Sequence, residues 1–549
     1  MTRFKTISIY AALIIASLVV LFGISRLERS IESDIKAYHL RFTGEIKNAP
    51  GWVSFTTVAL GSFRGLLADL LWLHQISLKD QGSYFEMVQL ANWITDLQPQ
   101  FAGSAVYLGW EMAYNLSVTC SNFEDRWRWI QEGLKLLRDK AMIYNPEDTN
   151  IYFDMTRIYT EKLGNVYDDA HLFYKNKLFM ETTRVMGKKP DWEAMAAVVP
   201  NFRLSDWEPE RRFNEKFPPK SEARQIIDSA GYPDFETLLN AYVKFDHMPE
   251  GLGKLSSEDR DWLNNYLRAA WIWNAFRLNP HRVLAVNREF GDLDWHTCEA
   301  QGIYWSYLGL EFRPPNQRRR QLDNFIAISL QSTFRSGRPL VTDPEKMVYY
   351  IGVPNFSVVD RTLRAAEEGY ELNKNDTSFL LSRNYFLRDA VVLFYTYGQT
   401  AKAEEMYKLL KKYDVGMTDS KLTLEQFYNA ELAETIRFAT VKDIGELLVG
   451  MIYRSIHFRV LGDNRHAAEL EASADWMYNR FVEMNKARER GVELPPLEVI
   501  YRVVIDNFMK NAPKPLADRL RKLMEHAAEQ AKAEKEAAAA AQSKLPEIK

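Results

Sequence analysis

Two cysteines in 549 residues, Cys120 and Cys298, are too few and too far apart to staple a fold. They either pair once or remain two thiols, and their number does not fix a redox compartment. Charge of one sign is also missing: 70 basic against 73 acidic residues leave a net charge of −3, no footprint for nucleic acid. No glycine-rich phosphate loop, HExxH, CxxC or GxSxG element stands in a useful context. Motifs therefore supply no catalytic set, no cofactor and no metal site, and the chain is not expected to be an enzyme. What is plentiful is core material: 46% hydrophobic and 13% aromatic residues, with 14 tryptophans. Such a composition excludes a disordered chain. The rings are expected mainly at helix packing contacts, an aromatic-lined groove being their other use.

One long apolar run is present. Residues 7–24, ISIYAALIIASLVVLFGI, carry no charge and follow Arg3 and Lys5. At about 1.5 Å per residue the run nearly crosses a hydrocarbon core, so 1–25 is expected to be an N-terminal transmembrane signal anchor. A cleaved signal peptide is the alternative, with Gly23-Ile24-Ser25 as a poor cleavage site. Arg26, Arg29 and Lys36 nearly balance the upstream charges, but a short basic N-terminus favours a body outside the cytoplasm. Residues 26–60 read as a juxtamembrane segment. The apolar stretch 51–73 contains Arg64 and Asp69, each costing roughly 2.5–3.5 kcal/mol at mid-bilayer. A buried soluble helix with these two as a structural pair is expected there, membrane entry being the alternative.

Beyond residue 60 the pattern is helical. Val106, Trp110, Ala113 and Tyr114 form one apolar stripe; Trp127, Ile130, Leu134, Leu137 and Ala141 form a second, closed by Asn145-Pro146. A helix pair with one greasy side each buries both only against another pair, which is the logic of a helical-repeat array. Residues 61–186 are assigned to such repeats. Seven prolines between Pro190 and Pro249 mark 187–260 as an irregular insertion. A helical region follows over 261–380, with a further irregular piece at 314–354. Repeats return over 381–512, and 513–549 is a charged Ala/Glu/Lys helical tail that should fray in solvent.

The clearest repeat is Phe394, Gly398, Ala403 and Tyr407. The glycine allows a turn at φ > 0 and the alanine lets two helix axes approach. Phe458, Gly462 and Ala467 repeat the offsets, with Glu471 in place of the second aromatic. This spacing resembles the tetratricopeptide (TPR) repeat. FRGLLADLLWL (63–73), VQLANWITDLQPQF (88–101), WEMAYNLSV (110–118), DRWRWIQEGLKLLRD (125–139), YNPED (144–148), GDLDW (291–295) and IYWSYLG (303–309) are together similar to uncharacterised bacterial membrane-anchored TPR proteins. That resemblance implies an all-α fold, an N-terminal transmembrane helix followed by a TPR-like solenoid with irregular insertions, anchored in the bacterial inner membrane by a single pass. It implies no reaction and no catalytic residues.

Smaller clusters have bland readings. Asp292, Asp294, His296, Cys298 and Glu299 have metal-ligand chemistry, but Asp and Thr are ordinary N-cap residues before a helix. Asp168, Asp169 and His171 suit a helix start. Arg318, Arg319 and Arg320 read as a solvated surface. The function expected is a scaffold that binds a protein or peptide partner, with Trp110, Tyr114, Asn115, Trp127 and Arg128 as contact residues. The alternatives are an all-helical enzyme acting on envelope glycans through two carboxylates, or an assembly or export component using 51–73 in the membrane. The scaffold reading expects a concave aromatic strip and no deep acidic pocket.

Overall fold

A computed structural model describes residues 63–201, 207–341, 350–373, 376–413, 421–438, 441–486 and 494–542, with Gly23 and Arg26. The described chain is helical almost throughout, an all-α fold. Its exception is a two-stranded antiparallel pair, Arg338–Val341 on Tyr350–Val353, with Arg338 opposite Val353. Among the described residues no helix is long and apolar enough to cross a membrane. The anchor expected at 1–25 and the segment 26–60 lie outside the described residues, Gly23 and Arg26 apart.

The chain forms two compact units, residues 1–101 with 143–145, and residues 102–142 with 146–549. In the first, the helices Phe63–Gln81 and Tyr84–Leu97 are joined through Gly82, whose φ of +72° suits a residue without a side chain. The hairpin buries Ala68, Gln75 and Leu78 from one helix and Met87, Leu90, Ala91 and Ile94 from the other. The expectation of a buried helix over 51–73 fails for its described part. Phe63, Leu66, Leu67, Leu70 and Leu73 are all exposed. Arg64 and Asp69 do not pair either; five positions apart, they leave a helix on different sides. Asn145 closes this unit, its side-chain amide donating to the Pro99 carbonyl at 2.6 Å.

The second unit opens with three helices that each loosen into a π-helical stretch: Ala102–Trp110 into Glu111–Leu116, Phe123–Lys135 into Leu136–Ala141, and Thr149–Arg157 into Ile158–Leu163. The first two meet at glycines. A Cβ on Gly133 would lie 2.6 Å from the Gly109 carbonyl oxygen, and one on Gly109 2.8 Å from Leu137. Each π stretch buries one charged side chain. Glu111 accepts from the Asn115 amide at 2.6 Å, Arg138 pairs with Asp139 at 2.6 Å, and Lys162 with Asp168 at 2.5 Å.

Two stretches expected to be irregular are helical. Residues 187–260 contain Trp192–Val198, Pro209–Lys216, Glu222–Ser229 and Phe235–Phe245. Asp191, Ser221 and Asp234 cap three of them by accepting from backbone amides, and Pro209 occupies a first position where its missing N–H costs nothing. Likewise Pro315 sits at the N-cap of a long helix, Asn316–Ser336. Among the described residues the irregular part there shrinks to the strand pair and short turns.

Further on, Ser378–Thr396 and Thr400–Tyr413 form a hairpin through Gly398 (φ +76°), and Val441–Leu461 and Asn464–Lys486 another through Gly462 (φ +91°). Ala403 and Ala467 are fully buried at the equivalent place in each. Phe394 stacks on Phe356 at 4.6 Å and Tyr407 tilts against Phe427 at 4.8 Å. In the second hairpin Glu471 instead accepts both arms of the half-exposed Arg459, at 2.7 and 2.5 Å. The tail is a helix, Lys514–Gln542, that buries Ala517 and Leu520 and exposes Leu523 and Met524.

Candidate functional site

The helix from Ala102 places Tyr107, Trp110 and Tyr114 one turn apart, because residues three and four apart share a face. Their rings follow one another at 6.0 and 6.1 Å. Beside them runs the Thr149 helix. Its Arg157 guanidinium lies over the Trp110, Tyr114 and Phe153 rings at 5.9, 5.3 and 5.6 Å. Arg318, from the helix after Pro315, covers Phe153 at 3.8 Å and donates to the Asn150 side chain at 2.7 Å. Tyr114 fixes the register by donating its hydroxyl to the Arg157 carbonyl at 3.1 Å. The result is a partly open strip of four rings and two guanidiniums, with Tyr107 47% exposed at one end.

Two carboxyls complete it. Burial raises Asp154 to about 6, although Arg157, which bonds to it, and Arg318 oppose the shift. Burial also raises Glu161, again against Arg157. Burial raises the Tyr114 hydroxyl as well, so it stays a donor at any physiological pH. Such a surface suits an extended peptide: rings give contact area at low entropic cost, and guanidiniums take backbone carbonyls or carboxylates.

Of the five contact residues expected from sequence, the structure brings Trp110 and Tyr114 to this strip; Asn115, next in the chain, donates to Glu111. Trp127 is elsewhere, buried, with its indole N–H donating to Glu181 at 2.9 Å and its ring stacked on Tyr174. Arg128 is exposed and pairs with Asp125 in its own helix at 2.9 Å. Sequence reasoning missed Phe153, Arg157 and Arg318. No local signal could have joined Arg318 to Phe153; only the fold does.

A second feature is a half-open cavity of about 230 Å³ beside the start of the Cys298 helix (Cys298–Glu311). Tyr159, Thr160, Asn165, Cys298, Glu299, Ser329, Ser332, Arg335 and Asp443 line it. Glu299 accepts from the Ser332 hydroxyl at 2.8 Å, and the Ser329 hydroxyl is buried without a partner. Arg335 pairs with Asp389 at 2.7 Å while roughly a third of each side chain stays accessible (34% and 39%). Burial works against the Arg335 charge, but Asp389, Glu446 and Asp443 hold it above its ordinary range. Burial raises Asp389 despite Arg335. The cavity is half-open and sets the Arg335 guanidinium beside the Glu299 and Asp443 carboxyls.

The remaining clusters are occupied. The His296 ring bonds Asp294 at 2.7 Å and the Gly187 carbonyl at 2.9 Å; burial opposes its protonation, and these two partners outweigh burial. Asp292 pairs with Arg338, and Thr297 caps the Cys298 helix by accepting from the Ala300 amide. No group of three or more His, Cys, Asp or Glu fit to hold a metal occurs among the described residues. Asp168 accepts from the Ala170 amide and pairs with Lys162, while Asp169 pairs with Arg126. Of the three arginines expected on a solvated surface, Arg318 instead lies on Phe153, while Arg319 and Arg320 stay partly exposed and reach Asp323 at 3.8 Å and Asp376 at 2.9 Å. Cys120 and Cys298 are not joined in a disulfide.

The fold and these sites define an all-helical protein with an aromatic–arginine strip and a polar cavity. No family model, no curated protein and no solved structure matches it.

Proposed function

We propose that this chain is a membrane-anchored helical-repeat scaffold that grips a segment of a protein partner in the bacterial cell envelope. The observation that carries the reading is the strip: Tyr107, Trp110, Tyr114 and Phe153 interleaved with Arg157 and Arg318, on three helices, the first of them set closely against its neighbour by the Gly109–Gly133 crossing. Rings and arginines are the residue types that dominate recognition hot spots. The Gly398–Ala403 and Gly462–Ala467 hairpins support a TPR-like array, since each has a left-handed glycine and then a fully buried small residue. The uncharged run 7–24 supports single-pass anchorage in the inner membrane, with the body outside the cytoplasm.

A photocrosslinking amino acid at Tyr107 of the full-length protein in its host tests this. One discrete protein adduct is expected from Tyr107, lost on Arg157→Ala, and none from the more open Tyr385, 68% exposed. Adducts of equal yield from both positions would sink the strip as a recognition surface.

The cavity favours a second reading, an all-helical enzyme acting on envelope glycans, because it carries Glu299 and Asp443 on different helices. Glycan hydrolysis needs two carboxyls roughly 5–9.5 Å apart. Glycan turnover abolished by Glu299→Gln would establish it; unchanged turnover would exclude it.

A further inference from the structure

The Phe63–Gln81 helix has two unlike long faces. One, with Ala68, Gln75 and Leu78, is buried within its hairpin. On the other, Phe63 (74% exposed), Leu66, Leu67, Leu70 (56%) and Leu73 (64%) recur at i, i+3, i+4, i+7 and i+10, a continuous apolar stripe, with Ile76 at its margin. Asp69 is exposed at the edge of that stripe, whereas His74, four residues beyond Leu70, lies on the stripe at its C-terminal end. Single exposed leucines are ordinary, but a row of this kind marks a surface that something covers.

We propose that this stripe lies in the interfacial layer of a lipid bilayer, with the helix axis in the membrane plane. The inference rests on the anchored reading above. If residues 7–24 hold the chain in a bilayer, only 25–62 separate that anchor from Phe63, so the helix is tethered near the same surface. The twelve residues just before it, GWVSFTTVALGS, carry no charge at all, so apolar character runs straight into the stripe. A spanning placement is disfavoured because Arg64, Asp69 and His74 would all enter the hydrocarbon. An in-plane placement sinks the stripe, leaves Asp69 at headgroup level and brings only the C-terminal His74 to the lipid boundary. The first hairpin thus serves as a second, reversible membrane contact beside the anchor.

The test uses full-length protein in vesicles of phosphatidylethanolamine and phosphatidylglycerol. A nitroxide is attached through a keto amino acid at Leu66, Leu70 or Leu73, leaving both native cysteines in place. A control label goes at exposed Gln89 on the neighbouring helix. Flotation first shows whether the protein rides with the vesicles, and collision rates with oxygen (lipid-soluble) and a nickel chelate (water-soluble) then read each site. The expected result is oxygen exceeding nickel several-fold at the three leucines and the reverse at Gln89. If the protein floats and nickel dominates at Leu70, the stripe faces water and the proposal falls alone. Protection from both reagents would mean that protein, not lipid, covers it, which also overturns it. Failure to float would overturn both this proposal and the anchored reading. Because the labelled positions are exposed, the helix should survive labelling, and unchanged circular dichroism checks this.

Discussion

Asp154 is where single-residue energetics meet the candidate site. Its carboxyl rises from 3.8 to about 6 because burial outweighs Arg157 and Arg318. Between those values the folded protein keeps a proton that the unfolded chain releases, so stability falls as pH rises through that window. Above it the fold carries the cost of an ionised buried carboxylate, roughly 3 kcal/mol at most. Asp154→Asn is therefore expected to melt above wild type at pH 7.5, with the gap closing toward pH 4. A pH-independent gap in thermal melts would show that the carboxyl ionises freely. The same scale shows what the sequence could tell. Trp110 and Tyr114 were legible because helical spacing puts them on one stripe. That spacing cannot separate a half-open ring such as Trp110 from a buried one such as Trp127, since both belong to apolar faces. Arg157 lies 43 residues from Tyr114, whose hydroxyl its carbonyl accepts, and periodicity is blind at that range.

Among elements, the long amphipathic helices and the asparagine–proline stop were readable from their period and punctuation. The short helices of 187–260 were not, because one or two turns give too few positions for a period to show. Their caps, Asp191, Ser221 and Asp234, were the available signal, masked by the prolines around them. The helix after Pro314-Pro315 was missed for a related reason: proline reads as a breaker, yet just outside or at the first turn it starts a helix. The π-helical stretches leave no sequence mark, and the burial of the one charged side chain in each, Glu111, Arg138 and Lys162, is defined only by tertiary structure. Caps also offer a measurable claim. Thr297 starts the helix that carries Cys298 and Glu299 into the cavity. Thr297→Ala should cost about 1 kcal/mol in denaturant titration, and a loss below a few tenths would show that the helix start is held by other contacts.

For the molecule as a whole, composition and periodicity were enough for the all-α class, whereas the division into two compact units was not legible: residues 143–145 leave the second unit to join the first. Chains built from neighbouring helix pairs melt in parts rather than at once. Scanning calorimetry of the detergent-solubilised protein should accordingly give a van't Hoff enthalpy well below the calorimetric one. A ratio of one would show that the two units and their hairpins unfold as a single cooperative body.

The two glycine-turned hairpins differ in what fastens them, and solvent composition will tell them apart. Rings seat the first against its neighbours, Phe394 on Phe356 and Tyr407 on Phe427; a partly exposed Arg459–Glu471 pair joins the two helices of the second. A sulfate salt strengthens apolar burial and screens exposed ion pairs, so it tightens one clasp while loosening the other. Ionic strength thus works as a selector between neighbouring parts of one chain. In dilute buffer the charged clasp is at its firmest; in concentrated sulfate the second hairpin rests on its buried Ala467, Ala474 and Met477 instead.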